Sequence, residues 1–339
     1  MLKNHNTPRG KIETFWIESE CLKNNLLEDP VRRRIDIYIP EGHKSTGLPL
    51  LVDLVGFMAG GPAHTNWRNW GENVPERADR LIAEGKMPPV VIAFPDCFTR
   101  LGGNQYVEST AMGPWQTFLT EEMLPEIEER YGCGGAGKRG VFGKSSGGYG
   151  SFIHGMHFGG DIWNAIASHS GDIGFELMYR TDFCAVLRRL NDFNMSIEAF
   201  LNHFENAQKL KDADWHTLMV LAQCASYDPD PSQFFGIRLP ADTQTCALIP
   251  ERWANWQASD PLNIVESPEV QNRLKSLKLF YFDCGNIDQY NLVYGSRQLH
   301  TRLEELDISH IYEEFPDNHS SVDYRMDISL PLLAKALST

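Results

Sequence analysis

The sequence predicts an α/β fold, a mostly parallel sheet with helices on both faces, on three observations. Two nearly continuous apolar runs, residues 48–55 and 90–94, have the pattern of strands buried on both faces. Further short apolar runs at residues 141–142, 165–168 and 277–282 alternate with helix-like segments, the β-α-β-α rhythm that a parallel sheet requires. Only residues 173–273 break that rhythm, and they read as a helical, aromatic-rich insertion between two strands.

Taken in order, residues 14–17 and 34–39 read as strands that start the sheet antiparallel. In the second, Ile35, Ile37 and Ile39 alternate with Asp36 and Tyr38, and Pro40-Glu41-Gly42 closes it. The clearest helix spans residues 115–131: Trp115, Leu119, Met123 and Ile127 recur every four residues, with Glu121, Glu122, Glu126 and Glu129 on the other side. Pro125 should kink or interrupt it. A glycine-rich turn, residues 132–140, feeds the strand Val141-Phe142, and residues 308–315 form the last strand-like stretch. The insertion is aromatic from Phe175 and Tyr179 through Trp215 to Trp253 and Trp256. It reads as a cap over the carboxyl ends of the strands, where open α/β sheets bind ligands; helical padding of the core is the plainer alternative. The expected division is a core of residues 1–172 and 274–339 with a cap of residues 173–273.

At 339 residues, 42% hydrophobic and 22% charged, the chain has a globular composition and can bury a sizeable core. Its 31 Lys and Arg against 45 Asp and Glu leave a formal net charge of −14, with no basic stripe to displace counterions from nucleic acid. Arg32-Arg33-Arg34, the nearest candidate, lies inside an alternating strand. The seven cysteines are scattered, odd in number and without a C-x-x-C pair, so reduced thiols in a cytoplasm are expected. The first residues, MLKNHNTPRGKIETFW, carry no apolar core of signal-peptide length. No run approaches the roughly 18 apolar residues of a membrane span.

The strand Val141-Phe142 runs directly into Gly143-Lys144-Ser145-Ser146-Gly147-Gly148-Tyr149-Gly150, and an apolar helical stretch follows. G-x-S-x-G between strand and helix is a nucleophile elbow, a turn so sharp that the residues two before and two after the serine have no room for side chains. Ser145 satisfies that rule; Ser146, flanked by Lys144 and Gly148, does not. A phosphate-binding P-loop would need glycine where Lys138 stands, and Gly135-x-Gly137-x-x-Gly140 precedes its strand instead of following one.

A serine hydroxyl needs an imidazole to take its proton, and the imidazole needs a carboxylate to hold its tautomer. On an elbow scaffold both should follow the serine, acid first. His319, in the loop after residues 308–315, is the preferred base, with His169 next; His154, His157, His203, His216 and His300 read as structural or surface residues. Asp288 is the preferred acid, ahead of Asp283 and Asp172, because it stands in a loop beyond Gly285 long enough to reach an imidazole. An oxyanion would be held by the backbone N–H of Ser146 and by that of Phe57, in the turn of residues 55–61; a plain turn is the alternative there.

With these residues in place, the chain resembles the esterase family of α/β-hydrolases that includes enterochelin (siderophore) esterases, esterase D and the mycolyltransferase antigens. The likeness rests on Ile37-Tyr38-Ile39-Pro40, on residues 51–57, 91–96 and 143–150, and on Gly285-Asn286-Ile287-Asp288 and Pro316-Asp317-Asn318-His319. It implies Ser145 as nucleophile, Asp288 as acid, His319 as base, and the amides of Phe57 and Ser146 as oxyanion hole. Lys144, where many members carry histidine, and the long insertion depart from the family.

The expected function is hydrolysis of a small-molecule carboxylic ester through an acyl-enzyme, without metal or organic cofactor, nucleic acid or membrane. Acyl transfer or peptide hydrolysis would use the same three residues, and a non-catalytic binding protein on this scaffold would be expected to have lost one of them. The aromatic insertion and acidic balance favour an uncharged, partly aromatic or acyl-chain ester over a polyanionic one.

Overall fold

The computed structural model describes residues 6–339. Residues 1–5, the start of the stretch read for a signal segment, lie outside the described residues. The strands are β1 (Lys11–Glu18), β2 (Arg32–Ile39), β3 (Leu50–Leu54) and β4 (Val91–Pro95), a two-residue ribbon of β5 (Glu108–Ser109) and β6 (Gly113–Pro114), then β7 (Arg139–Lys144), β8 (Ala165–His169), β9 (Leu279–Gly285) and β10 (Ile311–Phe315). Eight of them form one sheet in the order β1-β2-β4-β3-β7-β8-β9-β10. β2 runs antiparallel to both its neighbours, and every other pairing is parallel.

Side-chain alternation sends successive strand residues to opposite faces, and both faces are buried. Leu50, Val52, Leu54, Val91 and Ala93 enter one core, whereas Leu51, Ile92, Phe94, Phe142 and Ala167 enter the other. The second core is covered by α1 (Val74–Ala83) and by the carboxyl-terminal helix described below; the first is covered by the helix of residues 115–131 and by the helix after the elbow.

The helix of residues 115–131 has three parts: α2 (Trp115–Thr117), a π-helical stretch Phe118–Met123, and α3 (Leu124–Tyr131). Pro125 stands in the first turn of α3, and the widened π turn just before it takes up the interruption that proline imposes. Gly132, at φ 62°, ends α3 in the left-handed conformation. The Arg32-Arg33-Arg34 run is spent internally: Arg32 stacks on Trp16, Arg33 stacks on Trp115 and donates to the Phe98 carbonyl, and Arg34 pairs with Asp36 at 2.9 Å.

α4 (Ser146–Phe158) follows the elbow and is buried along nearly its whole length. Between β8 and β9 come α5 (Phe175–Met178), α6 (Phe183–Asn191), α7 (Ile197–Asn206), α8 (Asp212–Tyr227), α9 (Pro250–Gln257), α10 (Pro261–Ile264) and α11 (Pro268–Lys275). α12 (Leu292–Glu305) and α13 (Met326–Ser338) complete the chain. Most aromatic residues of the insertion pack on one another: Trp256 meets Tyr179, Phe183 and Tyr227 with ring centroids 5.3 to 5.6 Å apart, and Phe175 and Tyr227 pack on Tyr149 of α4. The insertion thus shares one continuous core with the sheet. Among the described residues, no helix is long and apolar enough to cross a membrane.

Trp256 is fully buried at the centre of that aromatic cluster. Trp256→Ala should lower stability by about 3–5 kcal/mol, the usual cost of emptying a buried aromatic site, in urea unfolding followed by circular dichroism. A loss below about 1 kcal/mol would mean that this cluster does not unfold with the rest of the core.

Candidate active site

The site grows from the end of β7. Ser145 sits between β7 and α4 at φ 57°, ψ −125°, a backbone conformation that side-chain-bearing residues rarely adopt and that costs on the order of 1–3 kcal/mol. Packing enforces it: a Cβ on Gly143 would lie 2.2 Å from the Leu54 carbonyl oxygen, and one on Gly147 would lie 1.8 Å from the same atom. Only glycine lets β7 and α4 approach β3 this closely. The Ser145 N–H donates to the His169 carbonyl at 2.9 Å, and its own carbonyl accepts the first helical bond, from Tyr149.

The Ser145 hydroxyl meets Nε2 of His319 at 2.9 Å, and Nδ1 of His319 meets Oδ2 of Asp288 at 2.8 Å. Asp288 is sealed from solvent and accepts the Tyr290 N–H on its other oxygen at 2.9 Å. Gln289 accepts the His319 N–H at 3.0 Å, and the Tyr290 ring packs edge-on to the imidazole. The loops carrying Asp288 and His319 arise from neighbouring parallel strands, β9 and β10, and their backbones touch. A Cβ on Gly285 would fall 2.3 Å from the Asp317 carbonyl oxygen, so the glycine brings Asp288 within reach of His319.

The loop after β3 lies over the elbow, with the Cβ position of Gly56 3.4 Å from Cβ of Ser145. This sets Phe57 beside the serine, and Ser146 opens α4, where a helix's first N–H groups have no intrahelical acceptor. The Ser146 hydroxyl accepts from Gln105, whose own carbonyl accepts from Tyr227.

The rival residues are held elsewhere. His169 bridges Asp283 and Ser329, both at 2.8 Å, and Asp283 also accepts from Arg325 and Tyr281. Burial works against the Asp283 charge, but His169 and Arg325 outweigh it and hold its pKa below the usual range. Asp172 accepts from the Tyr179 hydroxyl at 2.7 Å, tying the insertion to the end of β8, and burial pushes its pKa up to about 6. His154 is buried against Trp163, His157 pairs with Gln116, and His300 pairs with His310. His203 packs at a tilt against Phe193.

A cavity of about 510 Å³ opens above Ser145. Gly56, Phe57, Lys144, Ser145, Ser146, Asp172, Tyr290 and His319 line it together with Met178, Trp215, His216 and Met219 from the insertion. His216, read from sequence as structural or surface, therefore faces the cavity, and of the insertion's aromatic rings Trp215 is the one that does. Sequence reasoning missed the wall made by His64, Arg68, Ser320 and Asp323. His64 pairs with Asp53 at 2.6 Å, and Arg68 pairs with Asp323 at 2.7 Å. Burial opposes charge on His64, but Asp53 outweighs it and raises the imidazole pKa. One signal was available: Asp53 is a lone acid inside the apolar run Leu51-Val52-Asp53-Leu54-Val55, and a buried carboxylate demands a partner.

The family described as "Putative esterase" matches residues 30–329. The chain belongs to this esterase family. It is a serine ester hydrolase with the α/β-hydrolase fold, and its substrates are small-molecule esters. Among solved structures, this esterase is similar to a ferulic acid esterase at 19% identity and a TM-score of 0.62, covering 97% of this chain and 99% of that one. It is similar to an S-formylglutathione hydrolase from Agrobacterium tumefaciens at 15% identity and a TM-score of 0.57, covering 98% of each chain. An enterochelin esterase from Shigella flexneri aligns at 14% identity and a TM-score of 0.50, covering 96% of this chain and 58% of that one. No curated protein matches the esterase in sequence.

The raised pKa of Asp172 has a stability consequence. Its protonated form is favoured in the folded esterase, so the side chain's contribution is fully present below pH 4 and is lost as pH rises through about 6. Asp172→Asn keeps an oxygen for the Tyr179 hydroxyl without a charge. It should stabilise the protein above pH 6 by roughly 2–3 kcal/mol, with the gain shrinking to nothing toward pH 4. Urea midpoints of both proteins across pH 4.5–8 check this; a pH-independent difference would contradict it.

Proposed function

We propose that the esterase hydrolyses carboxylic esters by a two-step mechanism with Ser145 as nucleophile, His319 as general base and then acid, and Asp288 as the carboxylate that orients the imidazole. The observation that carries this reading is the unbroken chain of hydrogen bonds from Asp288 through His319 to the Ser145 hydroxyl. Asp288 accepts from Nδ1–H, which leaves Nε2 free to accept the serine proton. The strained backbone of Ser145 lifts its hydroxyl above the sheet and into the cavity.

As Oγ attacks the ester carbonyl, His319 takes its proton and becomes an imidazolium beside buried Asp288. The negative charge moves to the carbonyl oxygen, between the amides of Phe57 and Ser146, where fixed donors stabilise it more than the neutral ground state. Collapse breaks the bond to the alcohol, which leaves with the proton from Nε2. Water, deprotonated by the same nitrogen, attacks the acyl-enzyme; the second collapse releases the acid and restores Ser145. In this reading the insertion acts as a cap, with Met178, Trp215 and Met219 meeting the substrate.

Ser145→Ala and His319→Ala should each lower kcat toward short-chain p-nitrophenyl esters by roughly 10^4-fold or more, with circular dichroism unchanged. Ser145→Ala should also abolish labelling by a fluorophosphonate. Wild-type-like turnover in either variant would overturn the assignment. His169→Ala, which breaks the buried network with Asp283 and Ser329, should instead cost stability, about 1–3 kcal/mol in urea unfolding, and should still label with the fluorophosphonate; loss of labelling in a folded His169→Ala protein would give His169 the role assigned to His319.

A further inference from the structure

Lys144 occupies the variable position immediately before the nucleophile, at the end of β7, and the proposed mechanism gives it no task. Its side chain is half-buried and lines the catalytic cavity beside His64, Arg68 and Asp323. The acids whose fields reach it are Asp323 and Asp288, and both are already engaged. Asp323 is held by Arg68 at 2.7 Å, and Asp288 is held by His319 at 2.8 Å and the Tyr290 N–H at 2.9 Å. The neighbouring imidazole of His64 is likewise paired with Asp53. Among the described residues, the Lys144 ammonium makes no hydrogen bond and no ion pair.

A cation withdrawn from water without a partner is unfavourable, and burial lowers the Lys144 pKa accordingly. A bound anion would remove that penalty. Lys144 and Ser145 line the same cavity, so an anion received by Lys144 would belong to the ester that Ser145 attacks.

We propose that Lys144 is an anion-receiving subsite of the catalytic cavity, and that it selects esters carrying a single carboxylate near the scissile bond. The inference rests on Ser145 being the nucleophile. A single charge is specified because the other two cationic groups of this wall have carboxylate partners, and because Asp172, Asp212 and Asp323 in the lining, with the net charge of −14, repel a polyanion. The expectation of an uncharged substrate is thereby replaced by one that is apolar except for one anionic end; the expectation against a polyanion is kept.

The test uses two substrate pairs that differ only in a free or methyl-capped carboxylate. Mono-p-nitrophenyl adipate and its methyl-capped counterpart place the anion on the acyl side; 3-carboxyphenyl butyrate and its methyl ester place it on the leaving side. The Ser145→Ala protein supplies the background for each. In at least one pair, the wild type should favour the free carboxylate in kcat/KM by roughly 10- to 100-fold, the range of a charge-assisted hydrogen bond, expressed mainly in KM. Lys144→Met should bring that ratio to unity or below, and Lys144→Arg should restore most of it.

Parity or preference for the capped ester in both wild-type pairs would overturn the proposal. So would a preference that survives Lys144→Met, or a fall in kcat that is equal for both members of a pair, since that would make Lys144 only a counter-charge to Asp288. If neither member of either pair is hydrolysed by the wild type above the Ser145→Ala background, the ester mechanism itself fails. The subsite is then decided by calorimetry with monomethyl adipate against dimethyl adipate: tighter binding of the monoanion that is lost in Lys144→Met supports it, and equal binding refutes it.

Discussion

The carbonyl oxygen of Leu54 is the atom against which this active site is built. Two glycine backbones, Gly143 and Gly147, close on it at distances that no side chain allows, and Ser145 is caught between them in a conformation it would not otherwise take. The strain of roughly 1–3 kcal/mol is sustained by the buried strands β3 and β7 and by α4, whose cores would have to come apart for the serine to relax. Everything else at the site is placed relative to this turn. The loop leaving β3 passes over it, the carbonyl of His169 at the end of β8 accepts the hydrogen bond of its N–H, and the next two strands bring Asp288 and His319 from beyond it.

Two histidine–aspartate pairs stand near the carboxyl ends of neighbouring strands, and their surroundings give them different roles. Asp283 is surrounded by His169, Arg325 and Tyr281, so its charge is satisfied within the fold, and the second nitrogen of His169 is spent on Ser329. Asp288 has a backbone amide and one imidazole, and the second nitrogen of that imidazole reaches the serine hydroxyl. A third pair, Asp53 and His64, forms part of the cavity wall. The same two residue types therefore occupy three settings: a buried network, a contact with the Ser145 hydroxyl and a cavity wall.

The insertion is packed on the core and also borders the cavity. Its rings are mostly consumed in packing on one another and on α4, as padding would be, while Met178 and the first turns of α8 face the cavity. Aromatic content alone is thus a poor guide to what the cavity accepts. The polarity of the opposite wall, where Lys144 lies among paired charges, bears more directly on the substrate than the number of rings in the insertion.

By itself, the sequence determined the layered α/β architecture and the elbow, because both are written in local patterns. Short, β-branched apolar runs bounded by turn residues fit strands buried on two faces, and G-x-S-x-G between a strand and a helix has few other uses. It also brought forward Asp288 and His319, which chain order and loop length favour, without excluding Asp283, Asp172 or His169. Which histidine lies against the Ser145 hydroxyl, which carboxylate meets that histidine, and the wall of His64, Arg68 and Asp323 became visible only in the tertiary structure. The reason is physical: whether a carboxylate is a relay, a strut or a wall depends on the few ångströms between side chains from distant strands, and strand pairing and backbone close approach set those distances, not residue identity.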